Sequence, residues 1–248
     1  MTEVIVSWSG GKDCTLACYK AIKSGLKVRY LASIITRSTG KLWPHLLTPE
    51  VLRMQAEAIG IPLLEWPSAT EGYDDNYRRM LGQLKTEGVE GVVFGDVNIG
   101  NSFAVKHLNW IKSVCEPTGM DYHLPLWQDN RATLLSELID LGFEVRILAA
   151  DSTELGESWL GRKLDKDMLA ELKIRHSLSP NGNVGYYHTF VTDGPLFKSR
   201  LVIEEWGRVF DEQAQFGGMG VWYMDIKRCR LESKAKPETL VLLSAEAL

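Results

Sequence analysis

Val4-Ile5-Val6-Ser7-Trp8-Ser9-Gly10-Gly11-Lys12-Asp13-Cys14 joins a strand pattern to a helical one with no linker beyond Ser9 and two glycines. It opens as a short β-branched run of strand type, passes through two glycines, and begins a helical pattern at Lys12. A strand that turns through glycines directly into a helix starts a βα unit. The same residues carry chemistry. Two glycines let backbone N–H groups approach an anion, a helix start adds positive potential, and Lys12 adds a full charge. The spacing is neither G-x-x-x-x-G-K-[ST] nor G-x-G-x-x-G, so the loop is neither a Walker A loop nor a dinucleotide-binding fingerprint. Asp13 beside such a cradle suits Mg²⁺, which binds through one or two carboxylates together with substrate phosphates. The plainer reading is a glycine turn with a surface lysine and an aspartate set against the helix dipole.

Working outward, strands are predicted at 3–8, 28–35, 62–66 and 90–95. Helices are predicted between them at 12–24 (closed by Gly25), 49–59 (Thr48 as N-cap, Pro49 first, Gly60 past the end) and 71–87 (closed by Gly88). Successive strand-to-helix units make an open parallel α/β sheet. A further helix near 102–115 leads to Pro117, Gly119 and Pro125, where the rhythm loosens. The boundary is placed there, giving domains at 1–122 and 123–248, the second expected to be a smaller domain of α+β type. Its expected elements are a helix at 131–141 capped by Asn130, a strand at 143–149, a helix at 165–175, and antiparallel strands near 199–206 and 221–231. Residues 176–195 read mainly as loop, and the tail after Pro237 carries no signal.

The 248 residues suffice for one large domain or two modest ones, and 45% hydrophobic with 24% charged residues is ordinary globular composition. The formal charge of −4 lacks long single-sign runs, so general nucleic-acid binding is not expected. There is no long apolar run, and no basic, signal-type segment precedes the first strand, so a cytoplasmic location without membrane attachment is expected. Cys14, Cys18, Cys115 and Cys229 include no C-x-x-C pair, which argues against a zinc ribbon or dithiol redox site. Cys14 and Cys18 share a helix face with apolar neighbours and read as core.

Gly95-Asp96 ends the fourth strand, and ligands of open parallel sheets bind beyond the carboxyl ends of strands, so Asp96 can face the same crevice as the loop at 9–13. The alternative for Asp96 is a cap. His188 could orient a leaving group or relay a proton, or simply serve as a structural hydrogen bonder. Asp193-Gly194-Pro195 could be no more than a turn. His45 and His107 are weaker candidates, His107 falling at helical spacing with Ile111 and Cys115, where packing is favoured. The eight tryptophans are scattered and read as core or pocket wall.

Ser9-Gly10-Gly11-Lys12-Asp13 after an N-terminal strand resembles the pyrophosphate loop of the N-type ATP pyrophosphatases. His188-Thr189-Phe190-Val191-Thr192-Asp193-Gly194-Pro195 resembles the second-domain signature of the diphthine:ammonia ligase family. Agreeing pieces in order are His45 with Gln55-Ala56-Glu57 and Gly60-Ile61-Pro62, Gly95-Asp96-Val97, His107 before Trp110, Pro125-Leu126-Trp127, and Trp159-Leu160-Gly161-Arg162, so the similarity spans about residues 3–200. The family usually has Cys-Gly-Glu-x-Gly-Glu-Tyr before its His-Thr-Phe. This chain has Asn181-Gly182-Asn183-Val184-Gly185-Tyr186-Tyr187, and Cys14 stands where most of these loops have Ser. The departure bears on the acceptor rather than on the ATP chemistry.

The resemblance implies a Rossmann-like, adenine nucleotide alpha-hydrolase-like sheet and an ATP-dependent carboxylate–ammonia ligase. A carboxylate acceptor, diphthine on elongation factor 2, would be adenylated, and ammonia would displace AMP. It further implies that Ser9, Gly10, Gly11, Lys12, Asp13, Gly95 and Asp96 hold Mg·ATP, with Asp13 on the metal. Lys12, Asp13, Asp96 and His188 would act in catalysis, and Gly185, His188, Thr189, Asp193 and Gly194 would meet the acceptor. The implied partners are ATP, ammonia and the acceptor, and a homodimer is compatible. Alternatives are amidation or thiolation of another acceptor, such as a cofactor carboxylate or a tRNA base, and an ATP- or AMP-binding regulator without turnover. Thiolation is disfavoured by the missing C-x-x-C.

Overall fold

The computed structural model describes residues 1–42, 44–69, 71–98, 102–178, 186–216 and 219–234. Trp43, Asn181, Asn183, Gly185 and the tail after Pro237 lie outside the described residues. The first half builds the alternation its sequence predicts: β1 (Glu3–Ser7), α1 (Lys12–Lys23), β2 (Lys27–Thr36), β3 (Lys41–Leu42), α2 (Pro49–Ile59), β4 (Leu63–Ser68), α3 (Tyr73–Thr86), β5 (Gly91–Val93), α4 (Ser102–Cys115) and β6 (Asp121–His123). β4, β2, β1, β5 and β6 lie side by side in parallel, and the two-residue β3 pairs antiparallel with the far end of β2. The strands at the centre read as continuous apolar runs because helices cover both faces. Val4, Ile5 and Val6 are fully buried accordingly.

In this order the chain leaves β1 toward β2 on one side and β5 on the other. That reversal is the topological switch point, where the loops after β1 and β5 part and open a crevice. The fold thus puts the Ser9–Asp13 loop and Gly95-Asp96 at the one place where a parallel sheet offers a ligand site.

The second half contains α5 (Arg131–Asp140), β7 (Glu144–Asp151), α6 (Lys166–Leu178), β8 (Tyr187–Asp193), β9 (Ser199–Phe216) and β10 (Met219–Ser233). Asn130 caps α5 as expected, its side-chain oxygen accepting from the Ala132 N–H at 2.7 Å. The strands form an antiparallel sheet in the order β8-β7-β10-β9. One expectation fails here. Residues 187–193, read as part of a loop, are strand β8, paired with β7 and carrying the fully buried Phe190 and Val191. The turn residues on both flanks, Asn-Gly-Asn before and Asp-Gly-Pro after, masked a seven-residue strand between them. Strand β9 also runs ten residues past its predicted end, whereas β10 exceeds its predicted bounds by two residues on each side.

The two sheets share one apolar core. Val6, Trp8, Leu16 and Leu52 from the first half pack in the same cluster as Leu126, Val145, Phe190 and Leu201 from the second. Full burial of a side chain such as Leu52 or Phe190 stabilises by roughly 1.5–3 kcal/mol, so this joint core holds the sheets in fixed register.

Candidate active site

The loop after β1 is held from below and from the side. Gly10 has φ +76°, a region disfavoured for residues with a Cβ, and a Cβ there would also approach Gln55 Oε1 to 2.9 Å. Beneath the turn, the Cys14 thiol donates to the Gly11 carbonyl at 3.2 Å and accepts from the Ser9 N–H and hydroxyl, each at 3.4 Å. Burial raises its pKa. Cys14 is therefore a structural hydrogen bonder under the loop. Gly95 packs against the other side, where a Cβ would meet the Cys14 amide nitrogen at 2.6 Å; only glycine permits that approach between β5 and the start of α1.

Strand β8 completes the mount. The Val191 N–H donates to the Gly10 carbonyl at 3.0 Å, and the Lys12 N–H donates to Thr189 Oγ1 at 3.0 Å. The wholly buried Gln55 amide donates to the carbonyls of Gly10 (3.0 Å) and Val191 (2.7 Å), while its oxygen accepts from Trp8 Nε1 at 2.9 Å. The phosphate-type loop of the first sheet is thus clamped by a strand of the second.

Loop, β5 end and β8 enclose a cavity of about 360 Å³ whose lining includes Ser9, Gly11, Lys12, Asp13, His45, Gly95, Asp96, His107, Arg131 and His188. Lys12 Nζ pairs with Asp13 Oδ2 at 2.8 Å and sits 5.3 Å from the centre of the Tyr187 ring. Burial opposes its charge, but Asp13 and Tyr187 outweigh that and raise its pKa, so Lys12 stays cationic. Asp96 forms an ion pair with His107 Nδ1, and this hydrogen-bonded partner raises the His107 pKa despite partial burial. His45 and His188 lie ring to ring with centroids 4.2 Å apart. Burial and the Lys12 charge depress His45 to about 4, and burial, His45 and Lys12 hold His188 well below the usual histidine range. Both are neutral imidazoles at physiological pH. Tyr186, whose hydroxyl meets His188 Nε2, is fixed by the buried Asp151 carboxylate, which accepts from the Tyr186 N–H at 2.7 Å. Tyr186, Tyr187, Trp127 and Phe103 give the cavity aromatic walls.

Of the residues predicted for a site, Ser9, Gly11, Lys12, Asp13, Gly95, Asp96, His188 and Thr189 line this cavity, and Gly10 shapes it from behind. Asp193 and Gly194 are not brought to it. They sit at the far end of β8, Asp193 receiving Lys234 and the Gly194 N–H (2.7 Å), and Gly194 packed where a Cβ would strike Phe143. Gly185 lies outside the described residues. His107, favoured above as packing, faces the cavity, and so does His45. Arg131, Tyr187 and Asp151 had no sequence signal beyond residue type.

Among the described residues no three His, Cys, Asp or Glu side chains are grouped to hold a metal by themselves. The carboxylates available to a cation that arrives with phosphates are Asp13 and Asp96, which is the ligand supply Mg²⁺ needs in nucleotide sites.

Comparison with known proteins follows the two halves. Residues 2–122 match the profile of the diphthamide synthase N-terminal domain, and residues 130–230 match that of the diphthamide synthase C-terminal domain. A diphthine–ammonia ligase of Danio rerio is 24% identical, aligning 94% of this chain with 97% of that protein. The Bos taurus diphthine–ammonia ligase is also 24% identical, at 92% of both chains. The Schizosaccharomyces pombe ligase is again 24% identical, but this chain spans only 39% of its length. Among solved structures, a chain described as a predicted subunit of tRNA methyltransferase from Methanocaldococcus jannaschii overlays with a TM-score of 0.47 at 18% identity, covering 79% of this chain and 98% of that one.

Proposed function

This chain belongs to the diphthamide synthase family, and from that premise we propose that it is an AMP-forming ligase that converts a carboxylate to an amide with ATP and ammonia. The observation that carries the reading is the convergence of the Ser9–Asp13 loop, Asp96 and β8 on one cavity at the switch point of the sheet. A carboxylate is a poor electrophile because its leaving group would be oxide; adenylation supplies a stable one. Lys12, held cationic, meets the charge that grows on the departing pyrophosphate, and the start of α1 adds its dipole. Asp13 and Asp96 would hold Mg²⁺ delivered with the nucleotide, which shares that charge neutralisation when bound. Asp96 also fixes His107 on the cavity wall.

For the acceptor, the reading takes diphthine on elongation factor 2, whose side chain carries a trimethylammonium group. Aromatic faces attract such cations by cation–π contact, worth about 0.5–2 kcal/mol each. Tyr186, Tyr187, Trp127 and Phe103 supply those faces, where the family's usual acids are absent. Thiolation is the weaker rival. Cys14, Cys18 and Cys115 are all buried, with burial raising each pKa, so none is suited to carry a persulfide into the cavity.

A competition assay tests the acceptor. With ATP and ammonium present, diphthine-bearing elongation factor and a set of small carboxylic acids compete for the enzyme. Amide should appear on the elongation factor; amide on the small acids alone would end the diphthine assignment.

A further inference from the structure

We propose, resting on the ligase reading, that His45 is the proton acceptor for the incoming amine. The residue lies just before Leu46 and Leu47, which are tied back to the end of β3 by two backbone hydrogen bonds: Leu42 N–H to the Leu47 carbonyl (2.8 Å) and Leu46 N–H to the Leu42 carbonyl (2.7 Å). Leu46, next to His45, has φ +55°, and no other non-glycine among the described residues has positive φ. Strain of this kind persists where the surroundings over-determine a geometry, and it gathers at functional sites. Here it sets the imidazole against the phosphate-type loop, with Nε2 3.4 Å from where a Gly11 Cβ would stand, and against the His188 ring.

The two ring nitrogens differ. His45 Nδ1 is shut off from solvent and has no hydrogen-bond partner among the described residues. Nε2 lies on the side of Gly11, which lines the same cavity as His45. A buried polar atom left unsatisfied is costly, so a loop that holds it so has a reason other than stability.

The chemistry needs such a group. When ammonia attacks the acyl carbon of the adenylate, a C–N bond forms and the acyl C–O bond to AMP breaks. AMP leaves with that electron pair, and the nitrogen must shed one proton to end as a neutral amide. His45 Nε2 takes that proton and returns it to solvent after product release. The charged or titratable groups around it are Lys12 and Asp13 from the α1 start and His188 from β8. Lys12 keeps the imidazole in its free-base form. Phosphate on Lys12 offsets that cation, so the imidazole becomes a stronger base once the nucleotide is in place.

Nucleophile choice tests this. Ammonia is mostly ammonium at neutral pH, whereas hydroxylamine is largely free base and forms an adduct that loses its proton readily. With diphthine-bearing elongation factor and Mg·ATP, His45→Gln should lower amide formation from ammonium by about 100-fold. Hydroxamate formation from hydroxylamine should fall at least tenfold less. A parallel fall with both nucleophiles would overturn the proposal. Should His45→Gln fail to fold, His45→Asn is read by the same ratio, and thermal melting reports the fold of each. An unsubstituted enzyme that forms no AMP with either nucleophile would instead overturn the ligase reading, and this assignment with it.

Discussion

The Thr189 hydroxyl accepts a hydrogen bond from the Lys12 backbone N–H at 3.0 Å, joining residues 177 positions apart in the chain. The second sheet thereby sets the loop of the first, so the position of that loop depends on both halves of the chain.

Thr189→Val keeps the strand's shape and removes that acceptor. A net hydrogen bond of this kind contributes about 1 kcal/mol, so urea denaturation should show a loss of that order. The loop loses an anchor at the same point, and KM for ATP should rise severalfold. An unchanged KM would mean that Val191 and Gln55 alone fix the loop.

Gln55→Leu is nearly isosteric and leaves the Trp8 indole N–H and the Val191 carbonyl without partners. Unsatisfied buried groups cost about 1–3 kcal/mol each, so a destabilisation of about 3 kcal/mol is expected by equilibrium unfolding. A loss below about 1 kcal/mol would show that water replaces the amide.

Lys12→Ala removes the cation that faces developing charge. The barrier should rise by about 2–4 kcal/mol, or about 30- to 1,000-fold in kcat, as for loss of an oxyanion donor. Lys12 contacts Asp13 and Tyr187 rather than the apolar core, so melting should stay within a few degrees. A collapse of the fold, or an unchanged kcat, would contradict this role.

Two histidines give opposite pH dependences. The His107 pKa is raised by Asp96, so the stability from that pair is fully present below the ordinary histidine pKa near ~6.5 and is lost as pH rises through the folded value. Asp96→Asn should therefore cost more stability at about pH 5.5 than at about pH 8.5. His45 is depressed to about 4, so its contribution is present above about 6.5 and is lost as pH falls toward 4. His45→Gln should flatten the acid limb of the stability curve. Unfolding free energies across that range check both signs.

The sequence was most legible where one local pattern served both fold and site. Val4 to Cys14 announces strand, turn and helix at once, and Gly95-Asp96 follows from the crevice rule once the sheet is parallel. What it hid depended on tertiary contact. β8 was obscured because its flanking turn residues dominate a short strand whose register is fixed only by β7 and the β1 loop. His107 reads as a packing residue because its partner, Asp96, is eleven residues upstream, in the segment after β5 rather than on the same helix. Gln55 reads as an ordinary helix glutamine until Trp8, Gly10 and Val191 surround it. Asp193 and Gly194 show the converse: they belong to the same motif as His188, but alternation and distance along β8 carry them away from the cavity.

Product analysis of ATP turnover separates acyl adenylation from its rivals. With Mg·ATP, ammonium and diphthine-bearing elongation factor 2, the chain should release AMP and pyrophosphate in equal amounts, one for each amide formed. Release of ADP and phosphate, or AMP formation indifferent to the acceptor, would contradict an acyl-adenylating ligase.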